Sequence, residues 1–300
     1  MRRLAFFALA ALAAAHAGAA PKPHQFGVIG NTVAAGDEAP LRQAIADTSD
    51  ANLGFVVATG IKGHKEPCSD ALYKSRREMF DDAPRPVIVS LAAGDWAECR
   101  NSAGRLAAIE RLNRIRELYF GDANSLGQHK LAVTRLSSTA KFRSYAENAH
   151  WEMGNVLYAT INLPSNNNDY RVEAGRNSEY EDRLVANRSW LHRLWALAQR
   201  KKFDAIVLFS DGDVNSVGGK RDGFAEPRKQ IATIAQKFSG KVLLVDSAAS
   251  AGEPAITWQG KLGHLSVGTN AVEVRVTPGA AGAFQVTWAR PGTFRSAEGA

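Results

Sequence analysis

The sequence predicts a single α/β domain, and three observations carry that prediction. Short apolar runs rich in Val, Ile and Leu alternate with amphipathic segments of helical period along most of the chain. Short alternating strands then collect near the C-terminus and add an antiparallel portion. No linker separates two such units, so residues 21–300 read as one domain with a core at about 25–290. The 300 residues are 45% hydrophobic and 22% charged, with mean hydropathy −0.23, which suits a globular protein.

The elements follow in order. "QFGVIG" (25–30) predicts a strand entering a turn, and "APLRQAIADTSD" a short amphipathic helix. "LGFVVATG" (53–60) predicts a second strand, "CSDALYKSRREMF" a helix capped by Ser69, and "RPVIVSLA" a third strand. A helix is predicted over 103–120, with Leu106, Ile109, Leu112, Ile115 and Leu118 as its buried face. Residues 130–163 change to strand periods, with a hairpin turn at Met153–Gly154–Asn155. "PSNNNDY" is a polar loop. A long helix follows at 178–202, with Ser178 and Glu181 as a capping box and Leu184, Leu191, Leu194, Trp195 and Ala198 buried. "FDAIVLFS" (203–210) is a buried strand, "EPRKQIATIAQKFS" a helix and "KVLLVDS" (241–247) a strand. "HLSVG", "AVEVRV" and "AFQVTW" are the closing strands, and the tail after Pro291 is expected to fray.

The first 20 residues, "MRRLAFFALAALAAAHAGAA", predict a signal peptide: two arginines, a short apolar run, and small residues suited to cleavage. The expected destination is secreted or periplasmic, with no transmembrane segment after cleavage. Loss of Arg2 and Arg3 takes two charges from the formal +7, leaving +5. No run of like charge and no basic stripe with aromatics is present, so no nucleic-acid partner is expected. Cys68 and Cys99 form an even pair in an oxidising compartment, which reads as one disulfide closing a loop of about 30 residues and contributing roughly 3–4 kcal/mol. A reactive thiol or a metal site is the alternative, and the absence of a CxxC speaks against it.

Several segments together resemble a bacterial branch of the calcineurin-like metallophosphoesterases. They are "FVVATGIKGHKEPCSDALYKSRREMFDDAPRPVIVSLAAGDWAEC", "RLNRIRELYFGDANSLGQ", "YAENAHWEMGNVLYATINLPSNNND", "ANRSWLHRLWALA" and "VLLVDSAAS", spread over residues 25–290. The resemblance implies a β-sandwich flanked by helices, with two metal ions at the strand ends. Paired divalent cations neutralise a phosphate and turn a bound water into a nucleophile, which requires carboxylates and imidazoles from several strands. It also implies a ligand type at each strand end, and this chain departs from it throughout. Asn31 stands in Gly30-Asn31-Thr32 where an Asp is implied. Gly60 runs directly into Ile61-Lys62-Gly63, without the implied bridging Asp. Gly94 stands at the ligand Asn, in Ala92-Ala93-Gly94-Asp95-Trp96, and Asp95 keeps an acid where the catalytic acid is implied. Ser210 stands for a His, and Asp246, Ser247, Ala248, Ala249 and Ser250 stand for a His-Gly-Asp-x-His stretch. No ordinary metal site is expected from these residues, and no cofactor.

Asp95, Asp211, Asp213 and Asp246 all follow predicted strands, and a convergent oxygen cluster suits Ca²⁺, Mg²⁺ or Mn²⁺. "DGDVNSVGGKRDG" fails as a phosphate loop, because Gly212 and Gly219 are seven apart and Lys220 is followed by Arg221. There is no G-x-S-x-G, and nothing pairs Ser210 or Ser250 with a His. Of the seven histidines, His24, His129 and His264 are expected in loops or termini, and His64 as a surface residue. Asn166, Asn167 and Asn168 offer donors and acceptors at a loop that the resemblance places near the site mouth. The favoured expectation is a degenerate, inactive scaffold. Its polar cleft would be lined by Asn31, Asp95, Trp96 and Asn166 to Asn168, and it would bind a small polar ligand or a periplasmic protein. The alternative is a metal-dependent phosphoester hydrolase with a rebuilt acidic site.

Overall fold

A strand covered on both faces must be apolar at every position, and successive side chains then enter different layers. That pattern organises this protein, a computed structural model that describes residues 22–32, 36–50, 52–171, 175, 177–217, 221–249, 252–279 and 283–290. The predicted signal peptide, residues 1–20, and the tail after residue 290 lie outside the described residues.

The first half lays down β1 (His24–Ile29), α1 (Ala39–Asp50), β2 (Val56–Thr59), α2 (Asp70–Asp81), β3 (Val87–Ser90), the one-turn α3 (Ala93–Trp96) and α4 (Ala108–Tyr119). Then come β4 (Thr134–Arg135), β5 (Ala149–Met153), β6 (Val156–Thr160), the single turn α5 (Ser165–Asn168), α6 (Ser178–Lys201), β7 (Ala205–Phe209), α7 (Ala225–Lys237) and β8 (Lys241–Asp246). The chain closes with β9 (Thr257–Gln259), β10 (Leu262–Ser266), β11 (Ala271–Val276) and β12 (Phe284–Arg290). One sheet has the order β12-β11-β1-β2-β3, the other β4-β5-β6-β7-β8-β10-β9. Both are mixed. In the first, β1, β2 and β3 run parallel, β11 pairs antiparallel with β1 and β12 antiparallel with β11. In the second, β6, β7, β8 and β10 run parallel, β5 pairs antiparallel with β6, β4 with β5 and β9 with β10.

The two sheets face one another. Phe26, Val28, Val57 and Ile88 of the first meet Tyr158, Val207, Phe209, Leu243 and Val245 of the second in one apolar layer. The alternate positions point outward. Ile29, Val56, Ala58, Val87 and Val89 pack on α1, α2 and α4. Leu157, Ile206, Leu208, Val242 and Leu244 pack on α6 and α7. The order of layers is therefore helix, sheet, sheet, helix, and the predicted α/β class holds.

Several local expectations hold as well. Ser69 caps α2, its hydroxyl accepting the Leu72 N–H at 3.2 Å. The β5–β6 hairpin turns at Gly154 and Asn155, with Gly154 at φ 57°. Cys68 and Cys99 are bridged with Cα atoms 5.8 Å apart, joining the segment before α2 to the segment after α3.

Two predicted helix faces are corrected. Leu106 and Ile109 are 44% and 53% exposed, and α4 starts at Ala108, so strict three-residue spacing overran the buried face. The true stripe is Leu112, Ile115 and Tyr119, at the helical repeat. In α6, Leu184 and Trp195 are half-buried, while Arg183 and Asn187 are buried with Ala186, Trp190, Leu191, Leu194 and Ala198. Asn177, not Ser178, precedes that helix, and its amide bonds the backbone of Arg171 instead of capping.

His150 in β5 lies against the Trp190 ring at 5.5 Å, with its Nδ1 unpartnered. Burial, aided by the nearby Arg193 charge, pushes its pKa down to about 4. Between pH 6.5 and 4 the unfolded chain binds a proton there that the native chain refuses, so stability falls as pH falls through that window. His150→Phe removes this dependence. Relative to wild type, the variant should gain about 2 kcal/mol on going from pH 7 to pH 5 in urea unfolding. An equal wild-type–variant difference at both pH values would contradict the assignment.

Candidate functional site

The C-terminal ends of the parallel strands from both sheets meet at one carboxylate. Asp211 lies two residues past the end of β7 and is 2% exposed. Its Oδ2 accepts the N–H of Ala93, after β3, and the N–H of Ser165, after β6, both at 2.8 Å. Its Oδ1 accepts the Ser247 hydroxyl, after β8, at 2.7 Å. Three loops that would otherwise carry orphaned donors are satisfied by one side chain.

Asp95 does the same for the first sheet. It is fully buried. Its Oδ1 accepts the N–H groups of Ile61 at 2.7 Å and Lys62 at 3.1 Å, from the loop after β2. Its Oδ2 turns back to the Ala92 N–H at 2.8 Å, the acidic half of a capping box on α3. Burial raises the Asp95 pKa to about 7 against the pull of those three N–H groups, and the Asp211 charge adds to the rise. A carboxyl poised there suits an acid catalyst, but this one touches neither solvent nor a cavity for substrate.

Between the same loops lies Lys62, 2% exposed. Its ammonium donates to the carbonyls of Gly63 at 2.8 Å and Gly94 at 2.9 Å. Burial lowers its pKa, while the Asp95, Glu66 and Glu98 charges hold it up. A protein cation thus sits between the loops after β2 and β3.

The three asparagines adopt a rare geometry. Asn166, Asn167, Asn168 and Asp169 have φ of 64°, 57°, 56° and 50°, a full left-handed turn. Such a turn is costly for L-residues, and Asn and Asp tolerate it best. It persists because its polar groups are tied down. Asn167 donates to the Arg221 carbonyl at 2.9 Å and accepts the Gly223 N–H at 2.8 Å. Asn168 donates to the Gly223 carbonyl at 2.9 Å, and the buried Arg183 guanidinium donates to both its oxygens. A Cβ at Gly223 would lie 2.1 Å from the Asn167 carbonyl, so only glycine fits there. Only Asn166 of the three is exposed.

The residues expected to line a polar cleft differ in burial. Asp95, Trp96 and Asn168 are buried. The Trp96 ring packs in the helix-side core with the Arg183 guanidinium carbon 5.8 Å from its centroid. Asn31 follows β1, and its buried Oδ1 has no hydrogen-bond partner, like the Thr32 hydroxyl beside it. Gly94 offers its carbonyl to Lys62, and the Ser210 hydroxyl donates to the Gly212 carbonyl at 3.1 Å. Ser250, Gly219 and Lys220 lie outside the described residues. An open groove of about 440 Å³ lies elsewhere, at β9 and β12, lined by Ile256, Trp258 and Phe284 among others.

The four acids expected to converge divide into two pairs. Asp95 and Asp211 bind backbone donors, as above. Asp246 and Asp213 instead face His264, which lies within β10 and not in a loop. His264 Nε2 is 2.6 Å from Asp246 Oδ2 and 3.5 Å from Asp213 Oδ1. The Asp246 bond raises the imidazole pKa against burial. Ser266 Oγ is 3.3 Å from the same nitrogen, so Ser266, His264 and Asp246 are no catalytic relay, which needs both ring nitrogens. The alternation of "LGHLS" places His264 two residues from Ser266 on one face, a signal that could have found it. Lys62 and Arg183 left no comparable signal.

No protein-family model matches the chain, and no curated protein matches it.

Asp211→Ala should lower the free energy of unfolding by about 2–3 kcal/mol, because it removes the acceptor of the buried Ala93 N–H and of the part-buried Ser165 N–H and Ser247 hydroxyl. Asp213→Ala, two residues on and 26% exposed, should cost less than about 1 kcal/mol. Urea midpoints compare them, and similar losses would show that Asp211 is not the tie between the loops.

Proposed function

We propose that this chain is an exported, degenerate form of the calcineurin-like phosphoesterase scaffold that acts as a binding or interaction protein, not as a hydrolase. One observation carries this reading. The strand-end carboxylates Asp95 and Asp211 are taken up by backbone N–H groups, and the Lys62 ammonium lies between the loops after β2 and β3. The residues at the implied ligand positions do not fit a paired-metal centre. Asn31 contributes an amide, Gly94 no side chain, Ser210 a hydroxyl already bonded to a carbonyl, and Asp246 a single carboxylate. A buried ammonium also repels a divalent ion brought into the same loops. The layered α/β architecture supports the scaffold, and the Cys68–Cys99 bridge supports an oxidising compartment, hence a periplasmic or secreted location. Among the described residues no helix is long and apolar enough to cross a membrane. The partner on this reading is a small polar ligand or another exported protein.

A second reading, phosphoester hydrolysis at a rebuilt acidic site, has the Asp213, Asp246 and His264 group in its favour. Three donors can hold one ion, and the two-ion clamp on attacking and leaving oxygens is then missing.

The purified mature protein should show no turnover of p-nitrophenyl phosphate or bis-p-nitrophenyl phosphate above the metal-only rate with Mn²⁺, Zn²⁺ or Ca²⁺ added. Metal-dependent turnover that Asp95→Ala abolishes would overturn the non-catalytic reading.

A further inference from the structure

We infer that Asp213, Asp246 and His264 form a mononuclear site for a divalent transition-metal ion, Zn²⁺ being the best match. The donors come from three separate places in the second sheet: the loop after β7, the end of β8 and the body of β10. Register brings the last two together, because Asp246 pairs with Ser266 across the parallel β8–β10 ladder. The carboxylate and imidazole ligand atoms all lie within 4.8 Å of one another.

The argument rests on one nitrogen facing three oxygens. His264 Nε2 has Asp246 Oδ2 at 2.6 Å, Ser266 Oγ at 3.3 Å and Asp213 Oδ1 at 3.5 Å. An imidazole nitrogen carries at most one hydrogen, so it can donate to one of these oxygens only, and two carboxylates, Asp213 with its Oδ1 also accepting the Asn215 N–H, share a single imidazole. An ion at their centre satisfies the nitrogen and both carboxylates together. Among the described residues no Lys or Arg pairs with Asp213 or Asp246; His264 is their one ion-pair partner. Asp95, by contrast, has the Lys62 charge nearby and three backbone N–H groups, and Asp211 has two backbone N–H groups and the Ser247 hydroxyl.

The surroundings fit a ligating role. Asp246 is 2% exposed and is oriented through its other oxygen, which accepts the Ala248 N–H at 3.0 Å. Asp213 is oriented by the Asn215 N–H at 2.7 Å. Asp213 and His264 keep 26% and 23% of their side-chain surface, so one side of the group is open. Three protein ligands with an open fourth position is the pattern of an accessible zinc site, with the Ser266 hydroxyl nearby. The imidazole favours Zn²⁺ over Ca²⁺ and Mg²⁺, which prefer all-oxygen cages. The site needs neither the phosphoesterase scaffold nor its paired ions, so it stands apart from the function proposed above. It would let the protein hold an anionic group through the bound ion.

Isothermal titration of the metal-free mature protein with ZnCl₂ tests it. The expected result is about one Zn²⁺ per chain, undisturbed by millimolar Mg²⁺. His264→Gln and Asp213→Asn should each weaken binding about tenfold or more, with unchanged urea midpoints showing that both variants fold. His64→Gln, which removes the exposed histidine 3.4 Å from Glu98, should leave binding unaltered. The inference is overturned if wild type binds no Zn²⁺, if binding survives both His264→Gln and Asp213→Asn, or if it is lost with His64→Gln. An absence of binding leaves the non-catalytic reading intact. Two ions per chain that persist in His264→Gln would overturn both.

Discussion

Loops from two sheets must be brought to the same place before any strand-end site can exist, and their backbone donors must be satisfied once water is excluded. In this protein the Asp211 carboxylate meets that constraint. It receives N–H groups from the loops after β3 and β6 and a hydroxyl from the loop after β8. Charge-assisted bonds of this kind are among the stronger polar contacts in a protein, and leaving such donors unpaired is more costly still. The register between the sheets' ends therefore hangs on an anion. An anion so enclosed is poorly placed to greet an incoming ion or substrate.

The same logic extends outward. Asp95 gathers the loop after β2 and the start of α3. Lys62 brings a positive charge into the low-dielectric region that holds Asp95, and its ammonium donates to the Gly63 and Gly94 carbonyls. Arg183 holds the left-handed Asn turn from the other side, through a buried guanidinium that also stacks over Trp96 and Tyr180. Acid, ammonium and guanidinium together make the junction self-sufficient. What remains with unmatched charge is the group around His264, one strand further along the second sheet, and the distinction between these two regions is the main functional content of the structure.

Much of the layering was legible in the sequence, because it follows from a period of two. In β7, "AIVLF", every residue is apolar, and the odd and even positions enter different cores. The Ser69 cap, the Gly154 turn and the cysteine pair were legible for equally local reasons. The failures are non-local. Trp96 reads as a loop aromatic until its burial against the α2 and α4 core is known. Arg183 and Lys62 read as surface charges, since buried cations are rare and their partners lie far off in sequence. The meeting of Asp246 with His264 depends on β8 and β10 being neighbours with β9 outside them, an order that spacing along the chain does not reveal. The use of Asp95 and Asp211 as acceptors for backbone N–H groups was hidden for the same reason, so four strand-end acids looked alike when they are two kinds.

The protein's own charges close the junction between the sheets. The count of transition-metal ions retained per chain by the purified protein, saturated with Mn²⁺ and Zn²⁺, desalted and measured by inductively coupled plasma mass spectrometry, tests this. No more than one ion, bound outside the junction, is expected. Two ions held together per chain, lost in step on Asp211→Asn substitution, would contradict it.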